Sequence, residues 1–187
     1  MLILKIYLLV GLVVHKMVWE VLRKNAIETP IEIASTRLTM IKAVKVCILL
    51  GVIVQIWLPE ILPILTEPFL LRVIGTAVYT VGLVTAVAAR FQLGENWANI
   101  ETGQVLKSQT VVARGIYAYV RHPIYIGDLL LLTGLELALN SWLVVGVLVL
   151  APAVLLKAIK EERMLIEELS GYEAYCRSSK RFIPFVF

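Results

Sequence analysis

PIYIGDLLLLTGLELALNSWLVVGVLVLAPAVLLKAIK, residues Pro123 to Lys160, decides the fold of this chain. It is apolar almost throughout, interrupted by Asp128, Glu136 and the Asn140-Ser141-Trp142 break. As one helix it would measure over roughly 50 Å at about 1.5 Å per residue. The hydrocarbon core of a bilayer is only about 30 Å thick. The segment therefore folds as a hairpin of two short spans that turns near Asn140-Ser141.

Working outward, three more apolar runs precede the hairpin, at Leu2–Leu22, Ala43–Leu58 and Pro68–Ala89. Apolar residues make up 59% of the chain, above the roughly half of a soluble domain. The excess lies in these runs. The expected fold is all-α: a polytopic integral membrane protein of about five transmembrane helices ending in a C-terminal helical hairpin. Its 187 residues leave no room for a separate soluble domain. We read 1–187 as one domain, with three spans in 1–90 and a second functional half in 91–187. Lys5, His15 and Lys16 interrupt the first run and no small-x-small cleavage site follows, which reads as a retained helix rather than a signal peptide.

Basic residues orient the spans. Arg23, Lys24, Arg37, Lys42 and Lys45 flank the first connector, which Thr29-Pro30 breaks; Arg90, Lys107, Arg114 and Arg121 fill the third. Lys157, Lys160, Arg163, Arg177, Lys180 and Arg181 follow the last span. The second connector, Pro59 to Pro68, and the hairpin tip carry none. The positive-inside rule then puts the N-terminus outside and the C-terminus in the cytoplasm. Two polar clusters fall on that cytoplasmic side. One is Gly115-Ile-Tyr-Ala-Tyr-Val-Arg-His-Pro-Ile-Tyr-Ile-Gly127, and the other begins at Glu161-Glu162.

Pro123 suits the first turn of a helix, where its missing N–H has no partner to lose. It biases His122 away from helix. Arg121 and His122 thus stand just outside the fourth span, beside free backbone N–H groups and the positive end of the helix dipole. They suit an anionic group such as a carboxylate, or lipid headgroups. Tyr117, Tyr119 and Tyr125 suit a cation or a planar ring, or an interfacial aromatic belt. Glu161 and Glu162 sit where the helix dipole disfavours anions. They either pair with Lys157 and Lys160 or bind ribose hydroxyls or an ammonium group. Asp128 and Glu136 lie within the fourth span, where carboxylates are costly and often functional, though each is near enough to an end to reach water. Cys47 and Cys176 form neither a metal-ligand spacing nor a disulfide framework.

The order and spacing of Gly115-x-Tyr117-x-x-x-Arg121-His122-Pro123-x-Tyr125-x-Gly127, Glu161-Glu162-x-x-Leu165, Gly171-Tyr172-x-x-Tyr175 and Arg181-x-Ile183-Pro184 resemble the isoprenylcysteine carboxyl methyltransferase family. The related phospholipid N-methyltransferases share part of this pattern. The resemblance runs from about Phe91 onward. It implies a membrane methyltransferase that uses S-adenosylmethionine and encloses it between the last two helices and the cytoplasmic connectors. Carried over by motif, Gln109, Val112, Gly115 and Tyr117 line the cofactor from the third connector. Arg121, His122, Pro123 and Tyr125 do so from the fourth helix, and Glu161 or Glu162 from the fifth. Gln109 departs from the histidine of many relatives. Arg177 or Arg181, with Glu162, positions the substrate. The implied acceptor is lipophilic or lipidated, most simply a carboxylate, which is already ionised at neutral pH and needs alignment and desolvation rather than a base. Trp97 is a candidate either to border its entrance or, by position alone, to serve as an interfacial anchor. Membrane lipids are the expected surroundings; no metal and no nucleic acid is expected as a partner. Alternatives are a phospholipid or amine N-methyltransferase, an NADPH-dependent enzyme like the sterol reductases, and a non-enzymatic membrane protein.

Overall fold

A computed structural model describes residues 1–24, 36–58, 60–96 and 109–183. Thr29-Pro30, Pro59, Trp97, Lys107 and Pro184 lie outside the described residues, as do the side chains of Arg23, Lys24, Arg37, Lys42 and Lys45. The described residues form helices and connectors, without strands. The helices are α1 (Leu2–Lys24), α2 (Thr36–Trp57), α3 (Phe69–Leu93), α4 (Pro123–Ala138), α5 (Val144–Glu168) and α6 (Tyr172–Ser178). Short 3₁₀ turns cover Gly94–Asn96 and Gly115–Ala118.

The expected hairpin is present. α4 starts at Pro123, with His122 non-helical before it (φ −122°, ψ 52°). It closes at Asn140, which takes a left-handed conformation with φ 57°. Asn tolerates this region better than most residues because its short amide bonds locally. Here the amide does more. Its oxygen accepts from the N–H groups of Ile64 and Leu65 at 3.2 and 3.0 Å, and its nitrogen donates to Glu60 at 2.6 Å. The buried turn is thereby docked on the connector between α2 and α3.

α3 and α4 run antiparallel as the tightest pair in the molecule. Glycines explain the closeness. A Cβ on Gly75 or Gly82 of α3 would strike the α4 backbone at Ala138 or Leu131. One on Gly127 or Gly134 of α4 would strike α3 at Ala86 or Tyr79. Removing side chains at the contact lets the two backbones meet, the usual solution where both helices have apolar surroundings. α1 packs against this pair through Leu8, which joins Tyr79, Leu131 and Leu135 in a buried cluster.

Polar groups within the helices are tied pairwise. Tyr79 donates to the Leu8 carbonyl at 2.6 Å. His15 lies 2.9 Å from Asp128 and stacks on Trp19. Glu136 is buried rather than reaching solvent, because the Gln55 amide donates to it at 2.7 Å. The outward surface is apolar: Ile3, Phe69 and Val149 are 84%, 79% and 72% exposed. Leu2–Leu22 and Phe69–Asn96 are long and apolar enough to cross a membrane. α4, at 16 residues, is shorter than the roughly 20 that a full crossing needs. Beyond Lys160, α5 continues to Glu168, and the short α6 follows it.

Candidate functional site

At the end of the molecule where α4 begins and α5 finishes, the two polar clusters meet. The contact is built on backbone. Lys180 N–H donates to the Tyr119 carbonyl at 3.0 Å, and Arg121 N–H donates to the Lys180 carbonyl at 2.8 Å. This pairing straps the segment after α6 alongside the segment before α4. Gly115 makes the preceding 3₁₀ turn possible, with φ 61° and no room for a Cβ beside the Gln92 amide. That amide accepts from the Ile116 N–H at 2.8 Å.

Glu162 is the hub. Its Oε1 accepts from Arg121 Nε at 2.7 Å and lies 3.0 Å from His122 Nε2. Its Oε2 accepts from Arg181 Nε and Nη2 at 3.0 and 2.7 Å. Burial pushes its carboxyl up, but hydrogen bonds from His122, Arg181 and Arg121 overcome that and hold it well below the usual carboxylate range. The anion expected at the start of α4 is therefore the chain's own Glu162. An ionised carboxylate can only accept, so His122 carries its proton on Nε2 and turns Nδ1 the other way. Arg121 also donates to the carbonyls of Cys176 and Ser179, which fixes it in place.

Glu161 faces different company. Tyr125 donates to its Oε2 at 2.8 Å, and His122 Nδ1 lies 3.8 Å from the same oxygen. Burial raises its carboxyl above the usual range, against the pull of His122, Tyr125 and Lys157. The Tyr125 ring stacks on His122 with centroids 5.4 Å apart, and Lys157 Nζ stands 5.6 Å from that ring.

Beside Glu161 opens a cavity walled by the third connector, α4, α5 and α6. Of the residues expected to hold a cofactor, Gln109, Val112, Tyr117, Arg121, His122, Tyr125 and Glu161 line it. Gly115, Pro123 and Glu162 stand behind the wall: the first two shape backbone, the third clamps Arg121 and His122. Arg181 is held against Glu162 outside the lining. Arg177 stands apart, exposed on α6 and paired with Glu173 at 2.6 Å. The sequence reading missed Asn96, Met164 and Leu169 as lining residues and gave Leu165, Tyr172 and Tyr175 no role beyond the motif. Leu165, Tyr172 and Tyr175 form a small core of their own, in which the buried Tyr175 hydroxyl donates to the Tyr117 carbonyl at 2.7 Å. That burial pushes the Tyr175 phenol up to about 12. A tyrosine spacing of three in a polar tail is the signal that marks this core, since i and i+3 share a helix face. Among the described residues no cluster of His, Cys, Asp and Glu has the makings of a metal site.

Known proteins resemble this chain. The chain superimposes on the eukaryotic intramembrane Ras methyltransferase ICMT (isoprenylcysteine carboxyl methyltransferase) with a TM-score of 0.55 and 22% identity, over 83% of this chain and 55% of that one. At that identity the likeness speaks for the fold. In sequence, 80 residues are 35% identical to the cobalt-zinc-cadmium resistance protein CzcN of Cupriavidus metallidurans. That match spans 42% of this chain and 37% of the relative, so the chain accounts for well under half of the curated relative's length. The family model described as phospholipid methyltransferase matches residues 70–171. Those residues take in nearly all of α3, the cavity-lining connector and the α4–α5 hairpin, ending just before α6; they are more than half of the chain, and on that match the chain belongs to the phospholipid methyltransferase family.

Proposed function

We propose that this protein is an S-adenosylmethionine-dependent membrane methyltransferase acting on a lipophilic acceptor. One observation carries the reading: the two motif clusters, some 40 residues apart in sequence, converge on a single cavity through Glu161, His122, Tyr125 and Tyr117. The donor set fits the cofactor. Tyrosine rings suit an adenine and a cation, Glu161 suits a cation or ribose hydroxyls, and the amides of Gln109 and Asn96 offer both donors and acceptors. Bound there, S-adenosylmethionine supplies an electrophilic methyl group. Val111, Val112, Leu165 and Leu169 make part of the lining apolar, which strengthens charge interactions beside it. Glu162 holds Arg121 and His122 rigid behind the lining.

The chain spans the bilayer about five times as one domain, with its N-terminus outside and the cavity in the cytoplasm. The acceptor is a carboxylate, as in an isoprenylcysteine-like compound. It needs no base, and Arg181 at the cavity's rear is the nearer of the two candidate arginines to hold it. A second reading, methylation of a phospholipid amine, is favoured by the family model's own description. An amine must first lose a proton.

Calorimetry of S-adenosylmethionine binding to the purified protein tests the core of this proposal. Glu161→Gln and His122→Ala should each weaken binding at least tenfold while the protein still inserts. Unchanged affinity in both would overturn the assignment. Radiolabelled methyl transfer into a thioether carboxylate or into total lipid then separates the two acceptors. Stabilisation by NADPH but not by S-adenosylhomocysteine would point to a reductase instead.

A further inference from the structure

Glu161 has a property that binding alone does not require. Among the described lining residues it is the one carboxylate, and burial and its neighbours pull its charge in opposite directions. From α4, His122 Nδ1 lies 3.8 Å away and the Tyr125 hydroxyl donates at 2.8 Å. From α5, Lys157 approaches over the Tyr125 ring, and the ionised Glu162 adjoins. Tyr117 from the 3₁₀ turn and Tyr172 from α6 complete the wall. The positive charge of Arg121 does not reach Glu161 undiminished, because Glu162 already takes it at 2.7 Å. Glu161 is thus half-buried, beside a like charge, and bonded to the Tyr125 hydroxyl. Such a carboxyl shifts its proton in response to any cation placed beside it.

Methyl transfer changes the charge of its donor. S-adenosylmethionine carries a positive sulfonium; S-adenosylhomocysteine carries a neutral thioether, and the rest of the two molecules is alike. We infer that Glu161 reads this difference: it stays a carboxylate when the cationic cofactor occupies the cavity and takes a proton from solvent when the neutral product does. The step forms one O–H bond on Glu161 and breaks one in hydronium or buffer. It makes Glu161 the specificity-determining residue between cofactor and product. The inference rests on the methyltransferase reading above. Burial already raises the Glu161 carboxyl in the absence of ligand, the direction the proton uptake needs.

The test is calorimetry with the full-length protein in buffers of different ionisation enthalpy, from mildly acidic to mildly alkaline pH. The probes are S-adenosylmethionine, S-adenosylhomocysteine and sinefungin, which bears an amine in place of the sulfonium. The two cationic ligands should release more protons on binding than the thioether does. The preference for S-adenosylmethionine over S-adenosylhomocysteine should rise with pH, by about tenfold for each unit by which the cation lowers the carboxyl's pKa. In Glu161→Gln the preference should become independent of pH while the thioether still binds. Equal proton counts for cation and thioether in the wild-type protein would overturn the inference and leave the methyltransferase reading standing. If the wild-type protein bound none of the three, both would fall.

Discussion

Glu161 and Glu162 are consecutive on one helix and meet opposite surroundings. Burial acts on both. For Glu162 four N–H donors outweigh it; for Glu161 a phenol and a more distant imidazole do not. Glu162→Gln should therefore cost about 3 kcal/mol, the loss expected when a buried ion network loses its anion, and lower the melting temperature by roughly 6–12 °C. The sign of the pH dependence follows from the depressed carboxyl. Its contribution is complete above the unfolded value of 4.5 and is lost as pH falls below it towards the folded value. Thermal unfolding of the wild type and Glu162→Gln should then converge in strong acid and differ most near neutrality. A constant difference at all pH values would mean that Glu162 is not ionised in the fold.

The glycine seam governs the elements. Gly134→Ala inserts a methyl into the α3 backbone at Tyr79, and overpacking of this kind costs about 1–3 kcal/mol. Gly146→Ala in α5 meets nothing within 4 Å and gains helix propensity of about 1 kcal/mol. Melting temperatures should move in opposite directions; a neutral Gly134→Ala would show that the seam is looser than described. Much of this level was legible in the sequence. Pro123 announced where α4 begins, and the length of the apolar run forced a turn at Asn140-Ser141. The run of charge from Glu161 hid the rest of α5, because the hydropathy signal ends there while Glu, Arg, Met and Leu remain good helix formers. α6 is faint for another reason. Its seven residues dock Tyr172 and Tyr175 on Leu165, and the tyrosine spacing of three is the one local trace of that contact. The site shows the same divide. Motif spacing located Tyr117, His122, Tyr125 and Glu161, but that Glu162 turns away from the cavity depends on which side of α5 faces the strap.

For the whole molecule, the hydrogen bond between Arg121 and Glu162 requires both ends of the hairpin to emerge on one side of the bilayer. With Cys47 and Cys176 replaced, single cysteines at exposed positions Tyr119 and Arg163 should react with an impermeant reagent from the cytoplasmic face. One at exposed Leu62, in the connector docked on Asn140, should react from the other face. Labelling of 119 and 163 from opposite faces would dismantle the site and the proposed function together.

α4 is the short partner of the hairpin. Its 16 residues rise about 24 Å, several ångströms less than the hydrocarbon layer it would cross. Hydrophobic mismatch of that size is relieved by thinning the surrounding leaflet. The cavity end of the hairpin would then sit in a dimple of the membrane, where ester linkages and headgroups sink toward the level of Glu161. The lipid-borne acceptor of the proposed reaction would reach the cavity by the bilayer bending to meet it, without first leaving its leaflet.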